Sequence, residues 1–301
     1  MSSQRNALSD FEADLQSPGD PISATTSLPI DLESDRVSRV VFLTDPGGLA
    51  AEQYKILRRR LCGLKSDGGI VLLTSPAPSD GKTLTSVNLA FSLAELGHST
   101  CLVDLDFRAP GILDTLRYRS EAPDVLDILQ GRARISEAIR RVQGRPLCLL
   151  GIQAGDPTSS FQFDRERLAS FLLRLRAAFA WVILDLAPAI PFSDVSEVLP
   201  NVDGALMVVR AGKTKKSLVG PSLEVLASKL WGVVLNDAVV SGDSSYGYYR
   251  DKQVDDRRRK LKADTRKSGE FPQNRSFHSA CFHAVRQNKS DLDSHCSESA
   301  G

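Results

Sequence analysis

The sequence predicts an α/β fold, a doubly wound and mostly parallel sheet with disordered N- and C-terminal segments, and three observations carry that expectation. Six short apolar runs recur between residues 70 and 236, the stretches between them are long enough for crossover helices, and both ends of the chain lack a sustained hydrophobic period. Runs without polar alternation are what strands buried on both faces look like, and right-handed helical crossovers between such strands produce a parallel sheet.

Taken in order, residues 1–45 mix Ser, Asp, Pro and Thr with few aromatics, and positions 1–40 hold seven acids against three bases. Such a composition buries too little apolar surface to offset chain entropy, so it predicts a disordered acidic lead-in. Periodicity begins in AEQYKILRRRLCGL, where Tyr54, Leu57, Leu61 and Leu64 fall on one helical face and Glu52, Lys55 and Arg58 on another. The apolar runs follow: IVLLTS at 70–75, CLVDLD at 101–106, LCLLGI at 147–152, WVILDL at 181–186, GALMVVR at 204–210 and WGVVLN at 231–236. They delimit one α/β domain over 46–241. Residues 242–301 form a basic tail, with twelve bases against eight acids from 250 onward, and read as disordered.

Composition narrows the function classes. Among 301 residues, 42% are hydrophobic, enough for a sizeable core, and 38 bases against 37 acids leave a net charge of +1. No global field points to nucleic acid or to a membrane surface. Five cysteines at scattered spacings suggest neither a disulfide framework nor a zinc site. The N-terminus lacks a signal-peptide core and no apolar run approaches the ~18 residues of a membrane span. A cytoplasmic protein is expected, with any membrane association supplied by a partner.

The first run leads into Pro76-Ala77-Pro78-Ser79-Asp80-Gly81-Lys82-Thr83 and then into a helix, LTSVNLAFSLAEL. Strand, loop, Gly-Lys-Thr and helix is the context of a phosphate-binding loop, or P-loop, of a nucleoside triphosphatase fold. Backbone N–H groups of Ser79, Asp80, Gly81, Lys82, Thr83 and Leu84 would face phosphate oxygens, Lys82 would add a point charge, and Thr83 would offer its hydroxyl to magnesium. The pattern departs from the usual one at Pro76, where the first glycine of such loops stands. Asp104 and Asp106 end one run and Asp185 ends another, so all three carboxylates should meet Lys82 and Thr83 beyond the strand ends. A triphosphate needs its charge neutralised, and magnesium takes carboxylate, hydroxyl and phosphate oxygens; ATP and Mg²⁺ are the expected cofactors.

At these residues the chain resembles the bacterial tyrosine kinases of capsular and exopolysaccharide biosynthesis, relatives of the septum-positioning and partition ATPases. Asp104-Leu105-Asp106-Phe107-Arg108 and Asp185-Leu186-Ala187-Pro188 match that family's ordered motifs, and the match runs on through Ser193-Asp194, VDGALMVVR and GVVLN. The resemblance implies that Lys82, Asp104, Asp106 and Asp185 are catalytic, with Asp104 near the attacking hydroxyl as base or metal contact. Thr83 and the three carboxylates would hold the metal, and Asn236 would reach the adenine. It further implies phosphorylation of Tyr246, Tyr248 and Tyr249, which cluster just after the last run on a tail able to reach the site. Glu52, Lys55 and Arg58 would join neighbouring copies into a homo-oligomer, although Lys55 stands where the family has arginine and loses its two-pronged pairing with carboxylates. A separate transmembrane polysaccharide chain-length regulator would activate the enzyme and recruit it to the inner membrane face, its substrates would be protein tyrosines, and nucleic acid is not expected.

Two other classes share the fold. A positioning ATPase would carry a further lysine at the place of Ala77, and a non-catalytic nucleotide-sensing subunit of the polysaccharide machinery would tolerate the Pro76 and Lys55 departures.

Overall fold

The computed structural model describes residues 28–30, 32, 39–119, 121–153, 164–238 and 280–283. In chain order the elements are β1 (Leu28–Ile30), α1 (Val41–Thr44), α2 (Leu49–Leu64), β2 (Gly69–Thr74), α3 (Lys82–Glu95) and β3 (Thr100–Asp104). Three short helices follow, α4 (Ile112–Thr115), α5 (Val125–Leu129) and α6 (Ile135–Ala138), then β4 (Arg140–Val142), β5 (Leu147–Leu150), α7 (Arg165–Ala178) and β6 (Trp181–Asp185). The domain closes with α8 (Asp194–Val198), β7 (Gly204–Arg210), α9 (Lys216–Leu226), β8 (Leu230–Asn236) and β9 (Ala280–His283).

All six apolar runs are strands. The strand order is β1-β4-β5-β3-β6-β2-β7-β8-β9. From β5 to β8 every neighbouring pair is parallel, whereas β4 runs antiparallel to β5 and β9 antiparallel to β8. Every residue of β2, β3, β5 and β6 is buried, which is why those runs show no polar alternation. The pleat sends alternate side chains to opposite faces. Ile70 and Leu72 of β2 enter a core closed by Leu168, Phe171 and Leu175 of α7, and Val71 and Leu73 enter a second core closed by Tyr54, Leu57 and Leu61 of α2 and Leu89, Phe91 and Leu93 of α3. Two helical layers on one sheet follow directly from that alternation.

Three expectations change in detail. The packed unit begins before residue 46, because Val40 and Phe42 are buried in the α2–α3 core and the backbone N–H of Val41 donates to the Asn88 side chain at 2.9 Å. Leu64, expected on the apolar face of α2, is its last residue and is 56% exposed, since the helix ends there before the next turn can cover it. Within the segments read as disordered, Leu28–Ile30 pairs with β4 and Ala280–His283 with β8, ladder hydrogen bonds that a hydrophobic period does not forecast. Apart from Leu32, the rest of the acidic lead-in before Arg39, and of the tail after Ala238, lies outside the described residues.

Among the described residues Cys62, Cys101 and Cys148 are free thiols, and no helix is long and apolar enough to cross a membrane. The start of β2 depends on Gly68, whose φ is 87° and whose missing Cβ leaves room for the backbone carbonyl of Ala180. That carbonyl accepts the Gly69 N–H at 2.8 Å and sets β2 beside β6. Gly68→Ala should therefore lower stability by at least about 1–2 kcal/mol, the cost of the left-handed backbone alone, as a reduced midpoint in urea denaturation.

Candidate functional site

Strand β2 ends at Thr74, and residues 75–81 turn into the N-terminus of α3. The turn is tight. Ser79 has φ 65° and Gly81 φ 97°, both in the left-handed region, and a Cβ at Gly81 would collide with the amide nitrogen of Asn236. Glycine is required there because the Asn236 side chain occupies that space, donating to the Asp80 carbonyl at 2.9 Å. The Asp80 side chain folds back on the loop: one oxygen accepts the Ala77 N–H at 3.0 Å and the other the Thr214 hydroxyl at 2.7 Å. The backbone N–H groups at the start of α3 are thus presented at the positive end of a 14-residue helix, the arrangement that binds phosphate.

The parallel register of β3 and β6 sets Asp104 directly beside Asp185. Both are fully buried, with Asp106 two residues further on. Lys82 reaches across to them, its Nζ 2.6 Å from Asp106 Oδ2, 3.8 Å from Asp185 Oδ2 and 3.4 Å from the Thr83 hydroxyl. Asp104 is engaged by the backbone: Gly111 and Ile112 N–H groups donate to Oδ2 at 3.0 and 3.1 Å, and the Asp106 N–H donates to Oδ1 at 3.1 Å. Asp106 Oδ1 in turn accepts the Arg108 and Ala109 N–H groups. Asp185 Oδ1 accepts the Ser86 hydroxyl at 3.1 Å, while its buried Oδ2 makes no hydrogen bond.

Burial dominates the electrostatics. It pushes the Asp104 carboxyl up to about 8, with the neighbouring Asp185 charge adding to the effect against the hydrogen bond from Ile112 and the charge of Lys82. Asp185 is also raised, by burial first, with Lys82 and the Thr83 hydroxyl opposing. Burial alone would lower the Lys82 ammonium, but the Asp185 and Asp106 carboxylates outweigh it and hold it above the ordinary lysine value. Even with Asp104 keeping its proton at neutral pH, Lys82 is the single cation facing Asp106 and Asp185, which leaves the site short of positive charge.

A divalent cation carried by a nucleotide fits these residues. Among the described residues no group of three His, Cys, Asp or Glu side chains forms a metal cage by itself, because Asp104 and Asp106 spend their oxygens on the 106–112 turn and on Lys82. Magnesium with phosphate ligands needs only one or two protein oxygens. The orphaned Asp185 Oδ2 and the Thr83 hydroxyl, which accepts from Lys82, are the oxygens that would supply them.

Comparison with known proteins accords with this geometry. No family model matches the chain. Tyrosine-protein kinase YwqD of Bacillus subtilis is 29% identical over 231 residues, covering 73% of this chain and 97% of the relative. The succinoglycan biosynthesis transport protein ExoP of Rhizobium meliloti is 31% identical over 213 residues, 67% of this chain but only 26% of that longer protein. Among solved structures, the VpsO kinase domain is 28% identical with a TM-score of 0.54, over 62% of this chain and 93% of the other. Over this span the chain is similar to the bacterial tyrosine kinases.

The structure brings Ser79, Asp80, Gly81, Lys82, Thr83, Asp104, Asp106, Asp185 and Asn236 to the carboxyl end of the sheet, while Leu84 sits in the first turn of α3 with its carbonyl accepting from Asn88. Asn236, expected at the adenine, is bonded to the P-loop backbone. Glu52, Lys55 and Arg58 make contacts within the chain: Lys55 pairs with Glu52 at 3.0 Å, and Arg58 donates to the Ser92 carbonyl at 2.6 Å and reaches Glu95. Tyr246, Tyr248 and Tyr249 lie outside the described residues. Sequence motifs did not single out Ser86, Arg210 or Thr214. Ser86 is one helical turn beyond Lys82 and could have been found by that spacing; Arg210 and Thr214 meet the P-loop from more than 120 residues away.

The raised Asp104 carboxyl has a measurable consequence. Its folded value, about 8, lies above the ordinary unfolded value near ~4, so the native state holds a proton that the unfolded chain releases, and stability falls as pH rises between those values. In nucleotide- and metal-free protein, Asp104→Asn should flatten the decline in urea midpoint between pH 5 and pH 8.

Proposed function

We propose that this chain uses ATP and magnesium to phosphorylate protein tyrosines, its own Tyr246, Tyr248 and Tyr249 among them, within the machinery of exopolysaccharide or capsule export. The observation that carries the reading is the Lys82–Asp106–Asp185 constellation at the N-terminus of α3. Relatives over the same span are named tyrosine-protein kinases.

Phosphoryl transfer asks mainly for positioning and charge stabilisation. Lys82 begins in contact with Asp106 and, on turning to the outer phosphates, exchanges one anion for another without losing its pairing. Thr83 and Asp185 would hold magnesium, which supplies neutralisation of charge on the transferring phosphoryl group. The contact with Lys82 occupies Asp106 Oδ2, so the lysine's movement leaves that oxygen able to accept the proton of an attacking tyrosine hydroxyl, whose ordinary pKa is near ~10. Asp104, with three backbone N–H groups on its oxygens, holds the 106–112 turn in place for Asp106. The tyrosine cluster begins ten residues beyond Asn236, and ten residues of chain can extend for ~33 Å, so reach is not limiting.

ExoP is named a transport protein and is far longer than this chain. A separate transmembrane chain-length regulator would supply here the membrane association that no described helix provides. Assembly of copies through Glu52, Lys55 and Arg58 would require these side chains to exchange their present partners for those of a neighbour.

The test is incubation of the purified chain with ATP and Mg²⁺, with and without the cytoplasmic part of the regulator, followed by phosphosite mapping. Phosphate on the three tail tyrosines that drops by about 100-fold or more in Lys82→Met, and is lost on chelation of magnesium, is the expected result. ATP hydrolysis without phosphotyrosine would assign a positioning ATPase, and nucleotide binding with neither activity a sensing subunit.

A further inference from the structure

The ends of β7 and β8 grip the phosphate loop from the side opposite the carboxylates. The Thr214 hydroxyl donates to Asp80 Oδ1 at 2.7 Å and accepts the Arg210 N–H at 2.8 Å. Arg210 pairs through Nε and Nη2 with Asp237 at 3.0 Å and extends Nη1 to the Ser79 carbonyl at 3.4 Å. Asn236 holds the Asp80 carbonyl. Ser79, a non-glycine residue at φ 65°, therefore lies between two anchored points.

This arrangement matters because Asp80 places a negative charge inside a loop whose purpose is to receive negative phosphates. Asp80 is 3% exposed. Its two oxygens are each held by one donor, Oδ2 by the Ala77 N–H and Oδ1 by the Thr214 hydroxyl. A carboxylate released from either contact, a few ångströms from a triphosphate and screened by little water, would repel it.

We infer that Thr214 is a positioning residue for nucleotide binding: through its hydroxyl it ties back the Asp80 carboxylate, so that the phosphate loop presents N–H groups and Lys82 without an opposing charge. Arg210, by anchoring the Thr214 turn and Ser79, serves the same end. The assignment builds on the reading of residues 76–83 as a phosphate site, and nucleotide affinity separates the two. A wild-type chain that bound neither ADP nor ATP would remove the phosphate site itself, whereas normal binding in a Thr214 variant would remove only Thr214's role.

The measurement is titration of the full chain with a fluorescent ADP analogue in the presence of Mg²⁺, with thermal melting as a control for folding. Thr214→Val, which keeps the shape and removes the hydroxyl, should weaken binding about tenfold, the order expected when a buried charge loses a hydrogen bond. Thr214→Ser should restore it. Asp80→Asn placed in the Thr214→Val background should also recover most of the affinity, because the charge to be restrained has gone. A purely structural Thr214 predicts the reverse of that last result, an additive loss. Unchanged affinity in Thr214→Val, or failure of Asp80→Asn to recover it, would overturn the inference. Should Thr214→Val not fold, Thr214→Ala and the same two rescues take its place.

Discussion

Lys82 is a buried ammonium set among three buried carboxylates, and much of the molecule is arranged to make that tolerable. Charges removed from water are stabilised only by close partners and hydrogen bonds. Here the contact with Asp106 at 2.6 Å, the Ser86 hydroxyl on Asp185 and three backbone N–H groups on Asp104 provide them. The Lys82–Asp106 and Ser86–Asp185 contacts join different parts of the chain and need the start of α3 set against the ends of β3 and β6, whereas the N–H groups on Asp104 come from the turn that follows it. The residual imbalance, one cation for three acids with an oxygen of Asp185 left without a hydrogen bond, is what a metal-bound triphosphate would complement.

Such a site needs a scaffold that does not yield. The central strands are buried on both faces and feed two separate cores, each closed by helices. Close-packed interiors resist deformation, and this fixes the carboxyl ends of β2, β3 and β6 relative to one another. The functional groups all sit at those ends, where loops are free to vary without disturbing the layers beneath. Arg108 links two such loops, with its guanidinium on Asp194 and over the Phe192 ring. Loop geometry is thereby set by side chains and not by the sheet alone.

The phosphate loop shows how a departure from a usual pattern is accommodated. Pro76 stands where a glycine is common, yet the backbone conformations that need freedom occur later, at Ser79 and Gly81. Gly81 is irreplaceable for a tertiary reason, since the Asn236 amide fills the space of its missing side chain. Ser79 tolerates a left-handed backbone because Asp80, Arg210 and Asn236 hold the residues around it.

By itself, the sequence determined the six central strands, the α/β class, the phosphate loop and the three strand-end carboxylates. These are encoded in runs and short motifs, where a residue's neighbours in the chain are also the causes of its conformation. Only the tertiary structure decided that Val40 and Phe42 belong to the core, that β4 turns antiparallel to β5, that Asn236 braces the phosphate loop, and that Arg210 and Thr214 meet Ser79 and Asp80. The Arg210, Thr214 and Asn236 contacts join residues more than 120 positions apart, with no local period or motif to announce them. They exist because the sheet order places β7 and β8 beside β2, and hydrogen bonding between buried polar groups then completes what the apolar pattern began.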